Sequence, residues 1–388
     1  MIATVLWPLG QRIGGRQRDR ETPGGCGRGI RQQWQGQASA DDRPWLLWVA
    51  MSTPSRRILV TGAAGEIGHG LVSAFAKDPD VHVIAVDLRD PGKAIRADLD
   101  DLHLGDICDR SFIDHIVTLH EVTEIVHLAA LLSTRAEHVP EKAHEVNVDG
   151  TFNLLRVAAE QAQSFGRIVK FTVPSSIAVY GLSTQEKSLG GKVGLDECLR
   201  PVTMYGANKL YCESLGRYYG RHYRSLTSEG PPPIDFRCLR LPGVIAAETK
   251  PTGGTSDFVP EMIHAAASGQ PYECFVREDT RIPWMTMPEC VESMLGLLES
   301  PPLPGCVYNV ASFSASAGEL EAALLPHFPN LQVTYAPHEG RQAMVDTWPD
   351  DVDITAAMRD WGYTPRWTLE QALEHYIVPS VRRQYAST

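Results

Sequence analysis

Apolar residues in this chain cluster in short β-branched runs, each followed by a stretch with helical spacing. The first run is RRILVTG, residues 56–62. It lacks the polar alternation of a half-exposed strand, as expected when helices cover both faces of a parallel sheet. Similar runs predict strands over residues 81–87, 102–106, 124–130, 167–173 and 234–241. Helical periodicity lies between them, most clearly over 66–77 and 141–162. Alternation of this kind predicts an α/β fold, a doubly wound parallel sheet of the Rossmann type. Beyond residue 243 the alternation loosens and prolines become frequent, with helices expected over 261–268 and 369–376. The expected organisation is an extension over 1–54, the doubly wound domain over 55–242, and a smaller C-terminal α/β lobe over 243–388. That lobe closes over the sheet's carboxyl edge, and part of it returns to the sheet. The Gly-Pro-Pro-Pro stretch at 230–233 reads as a surface loop.

Composition narrows the class. The 388 residues are 43% hydrophobic and 21% charged, ample for a large core. Residues 45–51 form an apolar run of seven, far short of the roughly 20 needed to span a bilayer. No membrane association is expected. The net charge of −11 argues against nucleic acid as a partner, because phosphates would be repelled. Eight cysteines are scattered with no CxxC among them, and no secretory signal is evident, so reduced thiols in a cytoplasm are expected. The first fifty residues differ: seven Arg, no Lys and four acidic residues give +3, leaving −14 for the rest. Residues 10–37 are rich in Gly, Arg and Gln without periodicity, and disorder is expected there. An Arg-rich leader could serve organelle import, but serine is scarce and tryptophan frequent. An extension ahead of a natural start at Met51 fits better.

Two motifs carry chemistry. Residues 61–68, TGAAGEIG, sit between the first strand and the first helix. Gly62 allows a tight turn, Gly65 lets backbone N–H groups approach a pyrophosphate, and Gly68 permits close helix–strand packing, with the helix dipole facing the phosphates. Asp87 ends the second strand, where a carboxylate accepts both ribose hydroxyls and repels a 2′-phosphate. This favours NAD over NADP, although Arg89 lies nearby. The second motif is YGANK, residues 205–209. Tyr205 and Lys209 are one helical turn apart and share a face. An ammonium beside a phenol favours the phenolate, which can take a proton from an alcohol near neutral pH. Ser175 and Ser176 follow the fifth strand at the carboxyl edge, where such sheets bind ligands.

From about residue 56 to 382 the chain resembles the extended short-chain dehydrogenase/reductase family. The matching pieces are the 61–68 loop, HLAA at 127–130, NVDGT at 147–151, PSSIAVYG at 174–181 and YGANK. The resemblance implies Ser176 as catalytic serine, Tyr205 as base, Lys209 also binding the nicotinamide ribose, and Asn147 in support. It further implies NAD contacts from Gly62, Gly65, Glu66, Ile67 and Gly68, from Asp87 and Leu88, and from Asp106 and Ile107 at the adenine. Leu128, Ala129, Ala130 and Leu241 complete that implied set, and a homodimer through the Tyr-Lys helix is implied too. Several stretches are also similar to the short-chain group of L-threonine 3-dehydrogenases: HLAALLS, GGTSDF, YECFVREDTRIP, YNVASF, residues 346–351 and WGY at 361–363. That similarity implies substrate contacts from Ser133, Ser176, Thr255, Ser256, Asp257 and Trp348. Ser256 and Phe258 stand where that group usually has threonine and tyrosine. Asp257 is alternatively a helix cap, and Trp348 alternatively a packing residue of the small lobe.

Three functions are compatible with these residues. One is NAD-dependent oxidation of the 3-hydroxyl of L-threonine or a similar small 3-hydroxy amino acid to 2-amino-3-oxobutanoate. The second is a nucleotide-sugar epimerase or dehydratase that retains its NAD. The third is a non-catalytic NAD sensor, disfavoured by the intact Tyr/Lys pair. No Cys/His spacing suggests a metal site, so zinc-dependent chemistry is not expected.

Overall fold

The computed structural model describes residues 56–226 and 233–386. The disorder expected over the N-terminal extension, and most of the 230–233 loop, lie outside the described residues. In chain order the first half comprises β1 (Arg56–Thr61), α1 (Glu66–Phe75), β2 (Val81–Asp87), β3 (Asp101–Leu104), α2 (Arg110–His120) and β4 (Glu124–His127). It continues with α3 (Gly150–Phe165), β5 (Val169–Ser176), α4 (Met204–Arg221) and β6 (Ile234–Leu241). The remainder holds β7 (Gly243–Ile245), α5 (Phe258–Ser268), β8 (Tyr272–Cys274), β9 (Arg281–Thr286) and α6 (Met287–Glu299). Then come β10 (Val307–Asn309), β11 (Phe313–Ser316), α7 (Ala317–Leu324) and β12 (Val333–Tyr335).

Seven strands form one sheet in the order β3-β2-β1-β4-β5-β6-β10, with every pairing parallel. The doubly wound class read from the alternation is therefore the fold. Ile58, Leu59 and Val60 of β1 have no exposed surface. Ile58 and Val60 pack with Leu71 and Val72 of α1 and with Met294 and Leu297 of α6. Leu59 packs with Ile113 and Ile116 of α2 and Leu154 and Leu155 of α3 on the other face. Each such side chain contributes about 1.5–3 kcal/mol by burial, which is why the run carries no polar alternation. A third cluster joins Phe258, Trp284, Leu320 and Trp348, from beyond β6, with Ile177, Val179 and Tyr180. There β9 lies between β11 and β7, while β12 pairs with β8.

The differences from the expected elements have local causes. Ser175 and Ser176 belong to β5 rather than following it, because the strand stays paired to β6 through Ser176 and Leu241. The expected helix over 141–162 is instead a short helix (Pro140–His144), a π-helical turn (Glu145–Asp149) and then α3. A π turn inserts residues without interrupting helical hydrogen bonding, so apolar spacing alone does not reveal it. The helix expected from residue 261 begins at Phe258, and the one expected over 369–376 passes through a π turn (Leu373–Ile377) into Val378–Ala386.

Candidate active site

Strand order reverses between β1 and β4, which opens a crevice at their carboxyl ends. The glycine loop lines it. Gly62 has φ +73°, and a Cβ there would stand 2.6 Å from the Ala129 nitrogen. A Cβ on Gly68 would stand 2.6 Å from the Gly62 carbonyl oxygen. At Gly65 it would meet only that same oxygen, at 3.3 Å, so the outer side of the loop is open. This cradle fits a pyrophosphate: close backbone where the loop turns, open space where phosphate would rest. Asp87 accepts the Ala64 N–H at 2.9 Å and the Arg89 N–H at 3.0 Å, fixing its carboxylate beside the loop. Leu88 is exposed. The Glu66 carboxylate accepts the Thr249 hydroxyl, and Ile67 packs on the core beneath. Asp106 accepts the Cys108 N–H at 2.9 Å, and Ile107 is buried. Leu128, Ala129 and Ala130 follow β4 half-buried, and the Leu128 N–H bonds to the Thr61 carbonyl. Leu241 ends β6, buried.

Ser176 ends β5, and its Oγ accepts the Ala178 N–H at 3.2 Å. Thr203 caps α4 by accepting the Gly206 N–H at 3.0 Å, which sets Tyr205 in the first turn. A Cβ on Gly206 would collide with the Ala178 carbonyl oxygen. Glycine there lets the start of α4 press against the turn that follows Ser176. Lys209 is buried; its Nζ donates to the Pro174 carbonyl at 2.8 Å and lies 5.5 Å from the centre of the Tyr205 ring. Asn147 sits in the π turn, accepting the Leu131 N–H at 2.8 Å and donating to the Leu131 carbonyl at 3.0 Å. It also reaches Asn208 of α4 at 3.4 Å. These contacts make Asn147 a brace between the 131 loop and the Tyr-Lys helix.

Beneath this rim lies a buried polar network. Glu213, one turn beyond Lys209, accepts the Ser175 hydroxyl at 2.6 Å and two Arg240 N–H groups at 2.8 and 2.7 Å. Arg240 donates also to the Tyr180 hydroxyl at 2.9 Å, which donates to Asn309 at 2.8 Å. Burial pushes the Tyr180 phenol above its ordinary pKa. His127 is held between the Thr61 and Thr151 hydroxyls at 2.7 and 2.9 Å. Burial, with the Lys209 cation adding to it, pulls this imidazole down to about 3.

The residues expected at the substrate come partly together. Ser133 accepts the Thr255 N–H at 3.4 Å, and the Thr134 and Thr255 hydroxyls lie 3.3 Å apart. Glu137, on the same short helix (Ser133–His138), accepts the Met204 N–H at 2.7 Å, tying this corner to the first turn of α4. Asp257 precedes α5 but makes no side-chain cap bond to it. Its Oδ2 instead accepts the Gly254 and Thr252 N–H groups at 2.7 and 3.2 Å. Ser256 is half-buried in that loop. Trp348 is buried, and among the described residues its indole Nε1 has no hydrogen-bond partner. Sequence reading missed Glu213, Arg240, Thr134 and Glu137. Glu213 had a signal, being on the helix face of Tyr205 and Lys209 at i+8 and i+4. Arg240 had one too, as a charge inside an apolar strand.

The glycine loop, Ser176 and the start of α4 share the carboxyl edge of the sheet, the arrangement of enzymes that exchange hydride with NAD. Residues 58–311 match the model of the NAD dependent epimerase/dehydratase family. The chain belongs to that family and is an NAD-dependent oxidoreductase acting on a CH–OH group. It is 35% identical over 315 residues to the mitochondrial L-threonine 3-dehydrogenase of Bos taurus, covering 79% of this chain and 78% of that one. A monomeric L-threonine 3-dehydrogenase from a metagenome, in apo form, superposes with TM-score 0.73 at 33% identity, over 84% of this chain and 99% of that one. The holo form of the GalE-like L-threonine dehydrogenase of Cupriavidus necator gives 0.72 at 30% identity, over 84% and 99%. Among the described residues no helix is long and apolar enough to cross a membrane, and seven cysteines are free thiols.

Proposed function

We propose that this enzyme oxidises the 3-hydroxyl of L-threonine, or of a similar small 3-hydroxy amino acid, to 2-amino-3-oxobutanoate. One observation carries the reading. Thr255, from the loop ahead of α5, meets Ser133 and Thr134 of the short helix that Glu137 anchors to the turn bearing Tyr205. A compact polar corner beside the base suits a small zwitterion. Trp348, whose buried indole N–H has no partner among the described residues, is proposed as a donor to the zwitterion's carboxylate. Burying either charge unpaired costs several kcal/mol, so the ammonium goes to the second oxygen of Asp257. Ser256 lines the same loop.

NAD, when bound in the glycine-loop crevice, supplies the hydride acceptor. The Gly62, Gly65 and Gly68 loop and the start of α1 with Glu66 and Ile67 would hold its pyrophosphate. Asp87 and Leu88 would meet the adenosine ribose, and Asp106 and Ile107 the adenine. Leu128, Ala129, Ala130 and Leu241 would line the path to the nicotinamide. Ser176 holds the substrate hydroxyl by hydrogen bond. Tyr205 takes the hydroxyl proton as the C3 hydrogen leaves with its electron pair, so carbon is oxidised by two electrons and one proton passes to the protein. Lys209, fixed by the Pro174 carbonyl, keeps a positive charge beside the phenol. The seven free thiols among the described residues suit a reducing compartment, and the cytoplasm is the one proposed. Exposed Phe152, Tyr211 and Tyr218 on α3 and α4 support a homodimer through those helices. The test is NADH formation across L-threonine, its 3-epimer, L-serine, 3-hydroxybutyrate and UDP-sugars. Threonine-dependent NADH is expected. Its absence, with tightly retained NAD and interconversion of a nucleotide sugar, would replace this reading with the epimerase one.

A further inference from the structure

We propose that His82, Asp101 and His120 bind a divalent transition-metal ion of the Zn²⁺ class at the outer edge of the sheet. The residues come from three elements: His82 from β2, Asp101 from the first position of β3, and His120 from the last position of α2. Ile84 pairs with Asp101, so His82 and Asp101 emerge on one face of neighbouring strands. α2 lays its carboxyl end over that face. One potential ligand atom from each of the three residues lies within 4.8 Å of the others.

The spacing suits a shared ion. A tetrahedral ion with bonds of about 2.0–2.1 Å sets neighbouring ligand atoms roughly 3.3 Å apart. Asp101 Oδ2 lies 2.7 Å from His82 Nε2 and 3.6 Å from His120 Nδ1, bracketing that value. At 3.6 Å the second pair is too long for a good hydrogen bond. The far nitrogen of His120, Nε2, stands 2.8 Å from His103 Nε2. If His120 donates from Nε2, its Nδ1 lone pair faces Asp101, which is the arrangement by which an outer partner orients a ligating imidazole. Asp100, 3.8 Å from His82 Nδ1, flanks the other ring. His82 and Asp101 retain side-chain exposures of 27% and 37%, so water can complete the coordination. Two imidazoles and one carboxylate select Zn²⁺ and its neighbours over Mg²⁺ or Ca²⁺.

This site is separate from the proposed chemistry. His82 lies five residues before Asp87 on the same strand, about 16 Å away at strand rise. Its role is structural. Among the described residues β3 is an edge strand with one paired neighbour, and an ion would pin it and α2 to β2. Members spread over residues 82 to 120 form no ligand spacing along the chain, so only the folded edge brings them together.

The experiment uses untagged full-length protein stripped by chelator and titrated with Zn²⁺ against a chromophoric competitor, with thermal unfolding in parallel. One equivalent should bind, and Tm should rise by roughly 3–4 °C at a free Zn²⁺ of about 100 times Kd. His82→Gln, Asp101→Asn and His120→Gln should each weaken binding by at least about tenfold, and His103→Phe by about tenfold through ligand orientation. NAD binding retained in each variant shows that it folds. Substoichiometric Zn²⁺ uptake by the wild type, or affinity unchanged in His120→Gln, would overturn the proposal.

Discussion

Tyr205 and Lys209 owe their meeting to helix spacing, and the turn after Ser176 meets the start of their helix through backbone contact. Removing only the phenol oxygen tests the assignment most directly. Tyr205→Phe should lower turnover about 10²–10⁴-fold, the usual worth of a general base, while NAD affinity by titration changes little. Near-normal turnover would place the base elsewhere. Glu213 acts deeper, as the shared acceptor of Ser175 and Arg240. Glu213→Leu leaves the Arg240 guanidinium buried without its anion, so urea unfolding should show a loss of about 3–5 kcal/mol. His127 makes a pH-dependent contribution. Its folded pKa, about 3, lies below the unfolded value of about 6.5. The unfolded chain therefore binds the extra proton first, and stability falls as pH drops below about 6.5 and on towards 3. Urea midpoints between pH 4 and 7 should slope less in His127→Gln than in the wild type. Equal slopes would show that this ring does not contribute.

At the scale of elements, position depends on where helices touch backbone. α4 starts against the serine turn because Gly206 has no side chain to hold it off the Ala178 carbonyl. Gly206→Ala should push the first turn outward and misplace Tyr205 relative to Ser176. A displacement near 1 Å costs on the order of 10²-fold in rate, so kcat should fall about that much with a smaller change in NAD binding. An unchanged kcat would mean the helix start is free to adjust. The π turn at Glu145–Asp149 similarly directs Asn147 at the 131 loop. The strand elements were legible from their apolar runs, and β2 and β6 occupy the residues expected. The π turns were not, because they preserve helical character while changing only its phase.

For the molecule as a whole, charge and exposed surface lead to predictions of cofactor choice and assembly. Asp87 is fixed beside the glycine loop by two backbone N–H groups, where a 2′-phosphate would meet like charge. NAD should bind more tightly than NADP, and Asp87→Ala should narrow the gap in titrations of both; tighter NADP binding by the wild type would contradict this. Phe152, Tyr211 and Tyr218 leave an aromatic surface across α3 and α4. Sedimentation should show a dimer that Tyr211→Glu with Tyr218→Glu converts to monomer. A wild type that sediments as a monomer would assign those aromatics another role.

By itself the sequence determined the doubly wound sheet, the glycine loop and the Tyr205–Lys209 pair. These rest on local periodicity and fixed spacing, and neighbouring residues meet wherever the chain runs. Tertiary structure alone decided what Glu213, Arg240, Asp257 and the His82–Asp101–His120 group touch. Arg240 could be read as an exception in an apolar strand, but its anion comes from a helix 27 positions earlier. Asp257 sits where a cap is expected, yet the turn of its loop aims the carboxylate at Gly254 and Thr252. Such partners are selected by burial, where an unpaired charge or donor is costly, and burial is a property of the packed molecule rather than of any one segment.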